Sequence, residues 1–235
     1  MITPLTSYLP DEFFSKLKSI AVRKEFRPQD ALNFMMYESG VNPKSIHRTA
    51  PASGLFGKMF KTRAEAEAFI EKSAVDQLDD YEKMISNWPT VNKSHAETLY
   101  QLNFLPASAI PGDPNYRGTD LNAVLAASNG TGYGGKESLY YKENKSLDRD
   151  NDGKITVADL KNTLEYVKRA NKFKWNELMD RLGTPEDKVS IIPVPSKETR
   201  EEVYKKAGLP GLGTGLAIIL GAGGYAFYKR KKGKV

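Results

Sequence analysis

Apolar residues recur at three- and four-residue intervals from about residue 10 to residue 171, and clusters of glycine, proline and asparagine interrupt the pattern. This spacing places apolar side chains on one face of an α-helix, whereas a half-buried strand needs strict alternation, which we do not find. The sequence therefore predicts a mainly α fold. The predicted helices cover residues 11–24, 28–39, 62–87, 96–102 and 157–172, with shorter pieces at 121–127 and 174–182.

Composition divides the chain into five predicted segments. Residues 1–140 form the helical domain, residues 141–182 contain an acidic loop and the helices that follow it, and residues 183–208 are a polar linker with prolines. Residues 209–228 contain no charged side chain. Their length is about the 20 residues that a helix needs to cross the hydrocarbon core of a bilayer. We therefore predict a C-terminal transmembrane helix there, followed by a basic tail at residues 229–235.

The basic tail accounts for most of the net charge of +6. Five positive charges come from Lys229, Arg230, Lys231, Lys232 and Lys234. We therefore expect no nucleic-acid binding. Tyr225 and Tyr228 precede the tail, as is typical of a membrane interface. Gly213, Ala217 and Gly221 recur every four residues, a spacing that favours self-association of membrane helices. The alternatives are a flexible glycine-rich tail and a segment that lies on the membrane surface.

Cysteine and histidine residues are nearly absent from the chain, which limits the metal sites and nucleophiles it can have. The chain has no cysteine, which excludes disulfides, thiolate metal ligands and a cysteine nucleophile. Its two histidines, His47 and His95, are far apart in sequence, so zinc is not expected. Residues 1–9 lack the basic start and apolar run of a cleavable export signal.

Glu38 is the first candidate functional residue, because it lies on the apolar side of a strongly predicted helix. Residues 28–39 begin with a proline, which suits the first helical position, and Gly40 suits a left-handed cap. Counting back three and four residues from Glu38 reaches Met35 and Phe34, so the carboxyl lies on the buried stripe. Desolvation and the negative end of the helix dipole both favour a raised pKa, as a general acid requires. The alternative is a structural ion pair with Arg23, Lys24 or Arg27.

Two motifs around Glu38 resemble the opening motifs of the soluble lytic transglycosylase family. They are Glu-Ser-Gly-Val-Asn-Pro-Lys-Ser at residues 38–45 and Ala-Ser-Gly-Leu-Phe-Gly at residues 52–57. The resemblance extends over residues 11–167 and implies a lysozyme-like helical domain that cleaves peptidoglycan glycan strands. It also implies that Glu38 is the single catalytic acid and base and that Ser39 helps to orient it. The residues implied to line the glycan cleft are Gly54, Leu55 and Phe56.

A third motif, Leu-Tyr-Gln-Leu-Asn-Phe-Leu-Pro-Ala at residues 99–107, resembles the helix that such enzymes, especially those of phages, place against the sugar. It implies that Tyr100 and Asn103 contact the substrate. An ordinary core helix is the alternative for the aromatic positions. The chain departs from the family at Gly57, where glutamine is usual. A substrate hydrogen bond is therefore lost or comes from another residue.

The resemblance also implies a mechanism with one carboxylate. Hydrolytic glycosidases normally need a second one, and none stands out in the matched motifs. A hydroxyl of the muramic acid sugar would then attack its own anomeric carbon. Glu38 would protonate the leaving oxygen and later deprotonate the hydroxyl, leaving an anhydromuramic end. If Asp76 or Asp79 held a water instead, the enzyme would be a lysozyme.

Residues 148–159 match the EF-hand calcium loop position by position, with Gly153 at the sharp turn. The predicted ligands are Asp148, Asp150, Asp152, the carbonyl of Lys154, Thr156 and Asp159. Asp159 stands where glutamate is usual, and its shorter side chain favours a weaker site that also admits magnesium. A lone loop lacks the partner loop of calcium sensors, so we expect a structural Ca²⁺. The alternative is an acidic solvated turn.

Together these features predict a membrane-anchored peptidoglycan lytic transglycosylase. The phage-like motifs and the tail anchor favour a virion-associated enzyme, in a virion membrane or the host cell envelope, that opens the cell wall during entry. The predicted partners are peptidoglycan, the membrane and other virion proteins. Two alternatives remain open: a catalytically weak structural virion or membrane protein that binds peptidoglycan, and a calcium-regulated membrane adaptor without lytic activity.

Overall fold

The computed structural model describes residues 9–88 and 90–188, and most of their regular structure is helical. The helices in that part of the chain are α1 (Asp11–Lys24), α2 (Pro28–Ser39), α3 (Arg63–Phe69), α4 (Ala74–Ser86), α5 (Ala96–Phe104), α6 (Pro106–Ala109), α7 (Gly132–Gly135), α8 (Glu137–Glu143), α9 (Val157–Ala170) and α10 (Lys172–Leu182). The short strands are β1 (Ala52–Ser53), β2 (Lys58–Met59), β3 (Val124–Ala127) and β4 (Lys154–Thr156). The strands form two antiparallel pairs, β1 with β2 and β3 with β4. The prediction of a mainly helical fold is confirmed.

The first two helices have the predicted bounds because their ends carry strong local signals. α1 has acidic residues in its first turn and basic residues in its last turn, which complements the helix dipole. α2 begins at Pro28. It is capped by Gly40, which has a φ of 65° and donates its N–H to the Met36 carbonyl. These ends need no distant partner, so a sequence pattern can predict them.

Three predictions of secondary structure are wrong. Residues 62–87 form α3 and α4 rather than one helix, because the Ser73 hydroxyl accepts the N–H of Asp76 at 3.1 Å and starts a second helix. Residues 121–127 contain strand β3 instead of a helix, and the expected absence of strands is wrong as well. β3 pairs with β4 so that Ala126 lies opposite Ile155, and both side chains are fully buried.

One hydrophobic core joins the N-terminal helices to those that follow the acidic loop. α5 packs against α2, α6 and α9, while α1 packs against α4. The largest fully buried side chains include Phe13, Phe34, Phe56 and Tyr81. Because α9 contacts both α2 and α5, residues 141–182 pack in the same compact unit as the helices before them.

The predicted membrane helix at residues 209–228 and the basic tail at residues 229–235 lie outside the described residues, as does most of the predicted linker. Within residues 9–88 and 90–188, no helix is both long enough and apolar enough to span a bilayer.

Candidate active site and metal site

Glu38 lies in the last turn of α2 and is partly exposed. Its Oε1 accepts a hydrogen bond from Nδ2 of Asn103 on α5, at 3.3 Å. Desolvation by burial raises the pKa of Glu38 from 4.5 to about 7, and the bond from Asn103 opposes this rise. The carboxyl therefore exchanges its proton near neutral pH, which is where a general acid and base works best.

The cations that the sequence offered as ion-pair partners of Glu38 pair with other carboxylates. Glu82 pairs with Arg23 at 2.8 Å and with Lys24 at 3.9 Å, and Asp30 pairs with Arg27 at 2.7 Å. The partner that Glu38 has instead is the neutral amide of Asn103. These cations therefore do not lower the pKa of Glu38 by pairing with it.

Gly57 lies directly beside the carboxyl of Glu38. A Cβ added at Gly57 would lie 2.4 Å from Oε2 of Glu38, well inside van der Waals contact, and φ is +63° at this position. A glutamine, which the resembled family has here, would have to displace the carboxyl and would strain the backbone. In this chain the Glu38 carboxyl therefore occupies the space that a side chain at position 57 would take.

Ser39 ties the end of α2 to the turn that follows β1. Its hydroxyl lies 2.8 Å from the Leu55 carbonyl oxygen and accepts the N–H of Asn42 at 3.1 Å. The N–H of Leu55 in turn donates to the buried Gln77 side chain at 2.9 Å. Ser39 therefore positions the turn that presents Gly57 to the carboxyl.

The three residues predicted to line the glycan cleft support this turn from the core side. The side chains of Leu55 and Phe56 are both 0% exposed. Gly54 packs against the ring of Phe69, which a Cβ would meet at 2.4 Å. These side chains are buried in the hydrophobic core, so they are not available to a surface ligand in this conformation.

Tyr100 lies inside the protein near Glu38, with 3% of its surface exposed. Its ring centroid is 5.0 Å from that of Tyr37 and 6.4 Å from that of Phe104. Burial raises the pKa of Tyr100 well above its ordinary value, and the charges of Tyr37 and Glu38 add to the rise. Tyr100 thus packs in the core, while Asn103 on the same helix is partly exposed and bonds to Glu38.

A surface groove of about 400 Å³ begins at Phe104, the residue after Asn103. Its lining includes Phe104, Pro106, Asn115, Tyr133, Lys136 and Tyr140. The Tyr133 and Tyr140 rings meet edge to face with centroids 5.6 Å apart. No motif in the sequence predicts this groove. The only local signal was the run of glycines around Tyr133 at residues 130–135, which predicts an irregular loop but no site.

Asp148, Asp150 and Asp152 form an acidic triplet that can hold a metal ion. One carboxylate oxygen from each lies within 4.8 Å of the others. Asp148 is buried, and its Oδ2 accepts the hydroxyl of Tyr141 at 2.7 Å and the N–H of Gly153 at 3.1 Å. The other two carboxylates are exposed. The first three predicted ligands are therefore brought together around the loop.

The remaining predicted ligands lie where the loop enters α9. The N–H of Lys154 donates to Oδ1 of Asp152 at 2.8 Å. Thr156 and Asp159 form a capping box, in which Thr156 N–H donates to Oδ2 of Asp159 at 2.9 Å. The N–H of Asp159 donates back to the Thr156 hydroxyl at 3.2 Å. The Asp159 carboxylate thus starts helix α9 and lies outside the triplet.

Comparisons of the chain with protein-family models, curated proteins and solved structures gave no match. The geometry of these two sites and the motifs in the sequence are therefore what indicates a function for the chain.

Proposed function

We propose that this protein cleaves the glycan strands of peptidoglycan, with Glu38 as its single general acid and base. The observation that carries the proposal is the pKa of about 7 at a partly exposed carboxyl whose hydrogen-bond partner is a neutral amide. Such a group can give up a proton at neutral pH and take one back. The substrate class comes from the resemblance of residues 38–45 and 52–57 to the lytic transglycosylase motifs.

The reaction that this site favours needs no water. Protonated Glu38 gives its proton to the glycosidic oxygen, so the bond from that oxygen to the anomeric carbon of the muramic acid sugar breaks. A hydroxyl of the same sugar forms the new bond to the anomeric carbon and passes its proton to the Glu38 carboxylate. The products are an anhydromuramic end and a sugar with a free hydroxyl, and Glu38 is protonated again.

The two aspartates that would make the enzyme a lysozyme have other partners. Asp76 accepts the Ser73 hydroxyl at 2.7 Å, and Asp79 pairs with Lys16 at 2.6 Å. The pKa of Glu38 is raised by desolvation and opposed by Asn103, and no carboxylate within the described residues contributes to the shift. These facts favour the intramolecular attack over hydrolysis.

Cell-wall zymography tests the proposal with full-length protein. The wild type should clear the gel and Glu38→Gln should not, while Glu143→Gln, an exposed glutamate at the end of α8, should clear it like the wild type. Clearing by Glu38→Gln would refute the role of Glu38. Binding of the wild type to sacculi without clearing would favour the structural peptidoglycan-binding protein. Mass spectrometry of the digest would separate anhydromuramic ends from the reducing ends of a lysozyme.

We also propose that the aspartate triplet holds a structural Ca²⁺, with Mg²⁺ as a weaker substitute. Three oxygens within 4.8 Å and the EF-hand spacing support this. The ion would join the loop before α9 to Tyr141 of α8, because Tyr141 bonds to Asp148. Calorimetric titration with Ca²⁺ should give one site, and Asp150→Asn should remove it. Equal heats from the two proteins would refute the site.

For location, we propose an anchor at residues 209–228 that holds the enzyme in a virion membrane or the host cell envelope. The uncharged length of this segment and the basic tail after it support the proposal. Flotation with liposomes is the test. The full chain should float with the vesicles, and a chain that ends at residue 208 should stay at the bottom of the gradient.

A further inference from the structure

The groove lined by Phe104, Tyr133 and Tyr140 has one charged residue in its lining, and that residue is a cation. Its lining includes the cation Lys136 and, within the part of the chain that the structure describes, no carboxylate. Lys136 is exposed and has no ion-pair partner among those residues. The nearby Arg117 differs, because its guanidinium lies 3.6 Å from Oε2 of the buried Glu137. Lys136 is thus a cation without a counter-charge in an otherwise neutral groove.

The loop that carries Lys136 is held in place by three hydrogen bonds, two of them partly buried. The carboxylate of Glu137 accepts the N–H of Gly132 at 2.8 Å. The hydroxyl of Tyr133 donates to the Leu125 carbonyl of β3 at 2.8 Å. The backbone N–H of Lys136 donates to the Gly132 carbonyl at 3.1 Å. The groove is therefore largely formed before a ligand arrives, which lowers the entropy cost of binding.

The other walls of the groove suit a sugar ring. Tyr133, Tyr140 and Phe104 supply aromatic surface that can pack on the apolar faces of a ring. Asn115 and Tyr140 add polar groups to the lining, while the Tyr133 hydroxyl is already bonded to the Leu125 carbonyl. A volume of about 400 Å³ lies within the range of small-molecule sites. The chemistry of the groove thus fits a sugar with an attached anion.

We propose that this groove binds a carboxylate-bearing sugar of the glycan strand and that Lys136 recognises the carboxylate. This inference rests on the proposed function and names which sugar the site selects. Muramic acid carries a lactyl carboxylate, which is free in peptide-free strands, and in intact strands it is linked to a stem peptide with carboxylates of its own. N-acetylglucosamine has neither. Lys136 therefore distinguishes peptidoglycan from chitin.

The test measures binding in full-length protein that carries Glu38→Gln, so that no ligand is cleaved. Lys136→Met is compared with Lys136→Arg and with Lys142→Met, an exposed lysine of α8 that does not line the groove. The ligands are a peptide-free muramyl tetrasaccharide, the same tetrasaccharide with stem peptides, and chitotetraose. Lys136→Met should weaken binding of a muramyl ligand roughly fivefold, as loss of one exposed ion pair does. Lys136→Arg and Lys142→Met should bind like the parent, and chitotetraose should not distinguish the proteins.

The outcomes separate the sources of the carboxylate and the two proposals. A loss with the peptide-free ligand assigns the lactyl carboxylate, and a loss only with the peptide-bearing ligand assigns the stem peptide. No loss with either, or an equal loss with chitotetraose, would overturn the role of Lys136. Failure of the Glu38→Gln parent to bind any of the ligands would also overturn the role of Lys136. Lysis of cell walls by Glu38→Gln would instead overturn the proposed catalysis, whatever the binding data show.

Discussion

Replacement of Glu38 by glutamine tests the raised pKa without any substrate. The pKa is about 7 in the folded protein and 4.5 for the ordinary group. Between these two values the folded protein holds a proton that the unfolded chain has released, so the folding stability falls as pH rises through this window. At about 1.4 kcal/mol for each pH unit, the ionised carboxyl costs the wild type about 3 kcal/mol above pH 7. Glutamine cannot ionise and escapes this cost.

The assay is urea unfolding of wild type and Glu38→Gln at about pH 4 and about pH 8. The stability of the variant relative to the wild type should rise by about 3 kcal/mol from the lower pH to the higher, because other titrating groups cancel in the difference. Glu143→Gln is the matched control, since Glu143 also lies at the end of a helix but is exposed. A difference that does not change with pH would refute the buried-acid argument. An equal change in the control would show that burial is not its cause.

Three further predictions test the neighbours of Glu38 and the metal loop. In Gly57→Ala, the free energy of unfolding in urea should fall by about 1–2 kcal/mol because of the positive φ alone. This variant should also lose lytic activity because the methyl group displaces the Glu38 carboxyl, and wild-type lysis would contradict that contact. Asn103→Ala should raise the pKa of Glu38, since its hydrogen bond lowers it, so the alkaline limb of the pH–activity profile should move to higher pH; a shift to lower pH would oppose this. Added Ca²⁺ should raise the melting temperature of the wild type but not of Asp150→Asn, and equal shifts would exclude binding at the triplet.

Local signals in the sequence predicted the features that depend on neighbouring residues. Proline at the start of α2 and glycine after its end set the bounds of that helix, and helical spacing put Glu38 on the apolar face. Such signals act within a few residues, where the backbone geometry is known in advance. The loop at residues 148–159 could be identified for the same reason, because its ligand spacing is local. The Asp159 carboxylate also caps the start of α9, a role that the ligand spacing alone does not indicate.

Tertiary structure alone decided what surrounds the acid. Asn103 is 65 residues from Glu38 in sequence and reaches it because α5 packs on α2. Residues 124–127 form strand β3 because β4 pairs with them, although the pattern of residues 121–127 allowed a helix. The contact of Gly57 with the carboxyl and the groove at Lys136 likewise arise from segments that approach each other only after folding. Local geometry was enough to predict the bounds of α1 and α2, the place of Glu38 on the apolar face and the spacing of the acidic loop. The pKa of the acid and the shape of the groove follow from long-range packing, which no local pattern encodes.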